Sequence, residues 1–144
     1  MKTIGLLLCV CCVSFELEAQ QDDSTHTAIE NVIQLYFEGT ANGEPEKLLE
    51  AFHPDFNLYT VNDKDSLWIR SGKAYIDKIK VGEKNNRQGS ILLIDYAGNT
   101  AMAKAEILVP GWRLFTDYFL LMRYQGEWKI VQKSYSWEPV GAKP

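Results

Sequence analysis

The chain has 144 residues, 46% of them hydrophobic and 24% charged, with a formal net charge of −4. Those proportions describe one folded domain of ordinary size and exclude a disordered or fibrous chain. The acidic balance, with a pI near 5.2, argues against nucleic acid or an anionic membrane surface as the main partner.

Lys2 precedes an apolar run over residues 4–15, and Leu17-Glu18-Ala19 leads into a polar stretch. A positive start, a short apolar core and a small residue before the break predict a secretory signal peptide over residues 1–19. The run is too short to span a bilayer, and no later segment reads as a transmembrane helix. Export to the periplasm or the extracellular space follows. A lipid-anchored form through Cys12 is the alternative, although Val10 and Cys11 fit a lipobox poorly. All three cysteines (Cys9, Cys11, Cys12) lie in the leader, so the mature domain needs no disulfide. Residues 20–26 read as a disordered segment, 27–138 as the domain and 139–144 as a flexible tail.

Thr27-Ala28-Ile29-Glu30 has the form of a capping box. Ile29, Val32, Ile33 and Tyr36 then repeat on one helical face, and Asn42-Gly43 supplies a stop. Glu44-Pro45-Glu46 restarts a helix whose buried side is Leu48, Leu49 and Phe52, and Pro54 ends it. Strands follow over residues 56–61 and 66–70 around an Asn62-Asp63-Lys64-Asp65 turn. Ser71 caps a third helix reaching about Val81, and residues 82–89 form a polar, mobile loop. Four strands, 90–96, 100–109, 114–124 and 128–137, are separated by Ala97-Gly98-Asn99, Pro110-Gly111 and Gln125-Gly126-Glu127, the signature of an antiparallel meander. Helices gathered early and a meander late make an α+β order, with the helices packed on one face of a curved sheet.

Tyr36-Phe37-Glu38-Gly39, Ala51-Phe52-His53-Pro54-Asp55, Asp117-Tyr118, and Gly126-Glu127-Trp128-Lys129-Ile130-Val131 with Lys133 together resemble the Putative lumazine-binding family. That family lies within the nuclear transport factor 2-like superfamily, beside SnoaL-like cyclases and ketosteroid isomerases. The resemblance runs from about Thr27 to Trp137. It implies a cone-shaped barrel: a strongly bent, mainly antiparallel sheet wrapped around about three helices from the N-terminal half, with a pocket at the open end. It also implies homodimers through the sheet. Fold alone does not fix function.

Eight aromatic residues fall between Trp112 and Trp137. Trp128, after a tight turn, reads as a core anchor. Trp112, in a loop beside Arg113, suits a pocket mouth or a dimer contact as well as plain packing. Asp117 lies inside the strongest strand, and the turn decides its side. A two-residue loop sets it opposite Ser134 on the Trp128 side, where desolvation favours a general base. A three-residue loop with a bulge sets it opposite Lys133 as a half-exposed ion pair. His53, placed at the end of the second helix, suits either a helix-terminal cation or a proton-transfer group.

No metal is expected, since the mature domain holds only His26 and His53 and no cysteine. No nucleophile elbow or phosphate loop is present, and no cofactor is implied. The leading expectation is a small, partly apolar molecule bound by Tyr36, His53, Trp68, Trp112, Asp117 and Tyr118. A cofactor-independent proton-transfer enzyme, with Asp117 as base and Tyr118 or His53 as donor, is the first alternative. The second is a dimeric interaction module presenting Leu114, Phe119 or Leu121 on a flat sheet.

Overall fold

The computed structural model describes residues 10–141. Helix α1 spans Val10–Asn42, α2 Pro45–Ala51 and α3 Gly72–Ile76. The strands are β1 Phe52–Val61, β2 Leu67–Ser71, β3 Gln88–Ala97, β4 Thr100–Val109, β5 Arg113–Tyr124 and β6 Glu127–Pro139. One curled six-stranded sheet has the order β2-β1-β6-β5-β4-β3. Every neighbouring pair is antiparallel except β1 with β6, which is parallel. The α+β expectation is therefore met.

Of the leader expected over residues 1–19, residues 1–9 lie outside the described residues and the remainder begins α1. Residues 20–26 are helical, and the helix passes through Thr27 without starting there. The physical reason is the unbroken run from Val10 to Glu38, which contains neither glycine nor proline, so nothing halts propagation. At the other end Gly43 adopts φ +68°, and a Cβ there would lie 2.4 Å from the Lys80 carbonyl oxygen. Only glycine fits both constraints.

Helix α2 ends at Ala51, and Phe52 already belongs to β1. Leu48 is buried, whereas Leu49 is 66% exposed. Helix α3 starts as expected, with the Ser71 hydroxyl accepting from the Ala74 amide at 3.3 Å, but stops at Ile76. The following polar loop is tied down: the Asn85 side chain donates to the Thr40 carbonyl at 2.7 Å, and its amide to that of Ala41 at 2.8 Å.

Period-two alternation separates the sheet's faces. On β4 Ala101, Ala103, Ala105 and Ile107 point inward; on β5 Asp117, Phe119 and Leu121 do. The small β4 side chains leave room for Ile29, Ile33 and Tyr36 of α1, all in the same core. Gly89 of β3 lets the Phe37 ring approach where a Cβ would be 2.5 Å away. Tyr118, Leu120, Met122 and Met102 lie exposed on the opposite face. The residues expected to mark an interaction surface sit elsewhere, with Phe119 and Leu121 buried and Leu114 half-buried.

Candidate functional site

The register of β6 builds the site. The turn after β5 is a two-residue loop, with Tyr124 opposite Glu127, and the pairing stays regular to Leu121 opposite Ile130. A bulge then inserts Val131, so that Leu120 pairs with Gln132, Phe119 with Lys133 and Asp117 with Tyr135. Neither register expected from the sequence occurs unmodified: the loop is the short one, and the strand is re-phased beyond it. Trp128 and Ile130 point inward before the bulge; Lys133 points inward after it. Were Val131 accommodated in a regular pleat instead of a bulge, Lys133 would face outward, because a one-residue slip exchanges the faces.

Lys133 therefore enters the core beside Asp117. Its Nζ donates to Asp117 Oδ2 at 2.7 Å and to the Tyr36 hydroxyl oxygen at 2.8 Å. The Tyr36 hydroxyl in turn donates to Asp117 Oδ2 at 2.8 Å. The side chains of Lys133 and Asp117 are 5% and 1% exposed, so this ion pair is shielded from solvent, unlike the surface pairs of Lys47 and Lys73. Asp117 Oδ1 has no partner among the described residues. Burial first, and the Asp117 carboxylate second, push the Tyr36 phenol well above its usual range. Tyr36 thus remains a proton donor throughout the physiological range.

This shift has a measurable consequence. Near pH 10 the unfolded chain ionises Tyr36 while the folded chain keeps its proton, so the folded state binds more protons and stability falls as pH rises. Below that point the contribution is fully present. Tyr36→Phe is expected to flatten the decline in urea midpoint between about pH 9 and 11 by close to one proton's worth of slope. An unchanged slope would assign the alkaline loss to other groups.

Above the triad lies a cavity of about 450 Å³, whose lining includes Tyr36, Lys133, Trp68, Trp112, Tyr135 and Trp137. That volume suits a small organic ligand. The lining also contains Arg70, Arg87 and Arg113, against a single acid, Asp63. Arg113 is held between two indoles, its guanidinium 3.4 Å from the Trp137 ring centre and 4.4 Å from that of Trp112. Arg70 stacks 4.3 Å over Trp68. None of the three guanidiniums has a salt bridge among the described residues. The turn that aims Trp112 and Arg113 closes with the Trp112 amide donating to the Val109 carbonyl at 3.0 Å, with Gly111 at φ +73°.

Of the residues selected from the sequence, Tyr36, Trp68 and Trp112 line this cavity. Asp117 contacts two lining residues from behind and does not itself line it. Tyr118 is on the opposite face of β5, 44% exposed. His53 sits in β1 instead of at a helix end, and its Nδ1 accepts from the Asp55 amide at 3.2 Å. It borders a separate groove of about 500 Å³ with Pro54, Asp55, Tyr124, Gln125, Glu127 and Lys129. That groove is larger, yet five of its seven lining residues are exposed and it contains no buried polar cluster.

Sequence reasoning missed Lys133 as a lining group, and with it Arg70, Arg87, Arg113, Tyr75, Tyr135 and Trp137. A lysine between Gln132 and Ser134 in a strand reads as solvated. The one available signal was that Asp117 and Lys133 are both charged within apolar strands joined by one tight turn. No group of His, Cys, Asp and Glu that could hold a metal occurs among the described residues, and none of the described helices is long and apolar enough to cross a membrane.

Comparison with known proteins agrees with this architecture. The chain is 24% identical over 116 residues to the aldolase FrzH of Cladobotryum sp, covering 76% of this chain and 89% of that protein. The NTF2-like protein of Shewanella baltica superposes with a TM-score of 0.72 at 24% identity, covering 81% of this chain and 95% of the other. The NTF2-like protein of Methylobacillus flagellatus gives 0.70 at 27% identity, covering 80% and 93%. A type 2 hexachlorocyclohexane dehydrochlorinase gives 0.60 at 12% identity, covering 87% and 95%, and shares the fold alone. The curled sheet, the helices packed against it and the match over residues 24–136 together make this chain a member of the Putative lumazine-binding family, with the NTF2-like fold.

Proposed function

We propose that the domain binds a small, planar, anionic molecule in the cavity above Lys133. The observation that carries this reading is the convergence of three guanidiniums without carboxylate partners and one buried ammonium on an aromatic-walled space. Aromatic faces select a flat ligand, and guanidiniums select a carboxylate or a similar anion. The family description points toward lumazine, a flat heteroaromatic, which belongs in the ligand panel beside aromatic carboxylates. The test is native mass spectrometry of the purified protein followed by a thermal-shift screen pairing each carboxylate with its amide. Stabilisation by both members of every pair would remove the anionic requirement. For a carboxylate that binds, Arg113→Gln is expected to weaken affinity about tenfold, the equivalent of one charge-assisted contact. An unchanged Kd would take Arg113 out of the site.

A cofactor-independent proton-transfer enzyme is the second reading, favoured by the buried ionisable triad and by the likeness to an aldolase. The groups that would meet a substrate are Lys133 and Tyr36, with Asp117 tuning them from behind. Asp117→Asn should then alter the pH dependence of turnover, and an unaltered profile would end this reading. The exposed row of Tyr118, Leu120, Met122 and Met102 supports pairing with a second copy through the sheet, which light scattering tests through the solution mass. Export rests on the leader, and N-terminal sequencing of the mature protein tests it.

A further inference from the structure

We infer that Lys133 is an amine nucleophile that condenses with an aldehyde or ketone on an anionic ligand to form an imine. This inference rests on the proposed pocket and goes beyond it, because binding alone requires only the charge of Lys133. Three features support it. Lys133 is the one primary amine among the residues lining the cavity, and its side chain is 5% exposed, so water competes poorly for a carbonyl there. The Asp117 carboxylate at 2.7 Å can take a proton from the ammonium and free the nitrogen lone pair. The Tyr36 hydroxyl at 2.8 Å stays protonated and can serve the departing oxygen.

The step balances without an added reagent. The ammonium passes a proton to Asp117, and the nitrogen lone pair forms the bond to the carbonyl carbon. The C=O π pair moves to oxygen, which is protonated through Tyr36 or Asp117. That oxygen then leaves as water with a second proton from nitrogen, giving a protonated imine. In sum an ammonium and a carbonyl become an iminium and water, and Asp117 ends as the carboxylate it began. The positive charge persists where it is already accommodated: Nζ lies 4.9 Å from the ring centre of Tyr36, 4.8 Å from Tyr135, 5.6 Å from Tyr75 and 6.0 Å from Phe119. An aromatic cage of this kind stabilises a cation whether it is an ammonium or an iminium.

The probe is 4-formylbenzoate, a flat aldehyde with a carboxylate, trapped with borohydride and mapped by peptide mass. The expected result is an adduct at Lys133 that forms at least about tenfold faster than adducts on the exposed Lys73, Lys78 and Lys80, and that is absent in Lys133→Arg. Labelling of the wild type spread evenly over surface lysines would overturn the inference without reference to any variant. The aldehyde-free 4-methylbenzoate reads the pocket separately by thermal shift. Stabilisation by 4-methylbenzoate with no trapping at Lys133 overturns imine formation and supports the pocket. Trapping at Lys133 that excess 4-methylbenzoate does not slow supports the nucleophile and overturns the anion pocket.

Discussion

Replacing Lys133 by methionine is expected to destabilise the domain by about 3–5 kcal/mol, the cost of leaving one member of a buried ion pair behind. Methionine fills most of the space of the lysine stem, so the loss reports the charge and not a void. Asp117 would retain only the Tyr36 hydroxyl as donor, with Oδ1 already unpartnered. Almost no solvent screening applies, since both side chains are 5% exposed or less. The Lys133→Met/Asp117→Leu double variant should regain most of that loss, because an apolar pair avoids the desolvation that the ions incur. Recovery should stay incomplete by about 1–3 kcal/mol, the cost of a buried Tyr36 hydroxyl without an acceptor. Urea midpoints of wild type, both single variants and the double variant complete the cycle. A single-variant loss under about 1 kcal/mol would mean that the pair is far more hydrated than its burial indicates.

The second large effect concerns chain length. Inserting one alanine between Val131 and Gln132 should cost about 4 kcal/mol or more: with the bulge kept it turns Lys133 and Tyr135 outward and strands Asp117 in the core, and with the bulge absorbed it carries Lys133 two positions along β5 from its place opposite Phe119. Deleting Val131 should cost much less, about 1–2 kcal/mol, because the strand then runs regularly with Gln132 outward and Lys133 inward as before. Paired thermal melts of the insertion and the deletion give the comparison. If the insertion is the milder change, the bulge is not what phases β6.

That bulge also explains how far the sequence could be read. The strands of the meander were legible because glycine turns and alternating residues mark them, and β4 falls on residues 100–109 as expected. The bulge has no such marker: Ile130-Val131-Gln132 contains no glycine or proline to betray an extra residue. Asp117 could be weighed, but not resolved, because its face depends on register and its meaning depends on Lys133. The start of α1 was misplaced for the opposite reason, a strong local capping signal at Thr27 overridden by a continuous helix-compatible run. Arg70, Arg87 and Arg113 belong to three separated segments, and only the curl of the sheet gathers them, so no local pattern could single them out.

The parallel pairing of β1 with β6 governs the order in which this chain can fold. Phe52 lies beside Ile130 and Leu58 beside Lys133, contacts that close loops of more than seventy residues. Pairings of such high contact order form late, because the loop-closure entropy must be met before any contact rewards it. A chain emerging from the ribosome would carry β1 and β2 as an open hairpin, with the β1 edge unsatisfied, until β6 was made. The floor of the cavity arrives in that same final step, so ligand competence and complete sheet closure are acquired together.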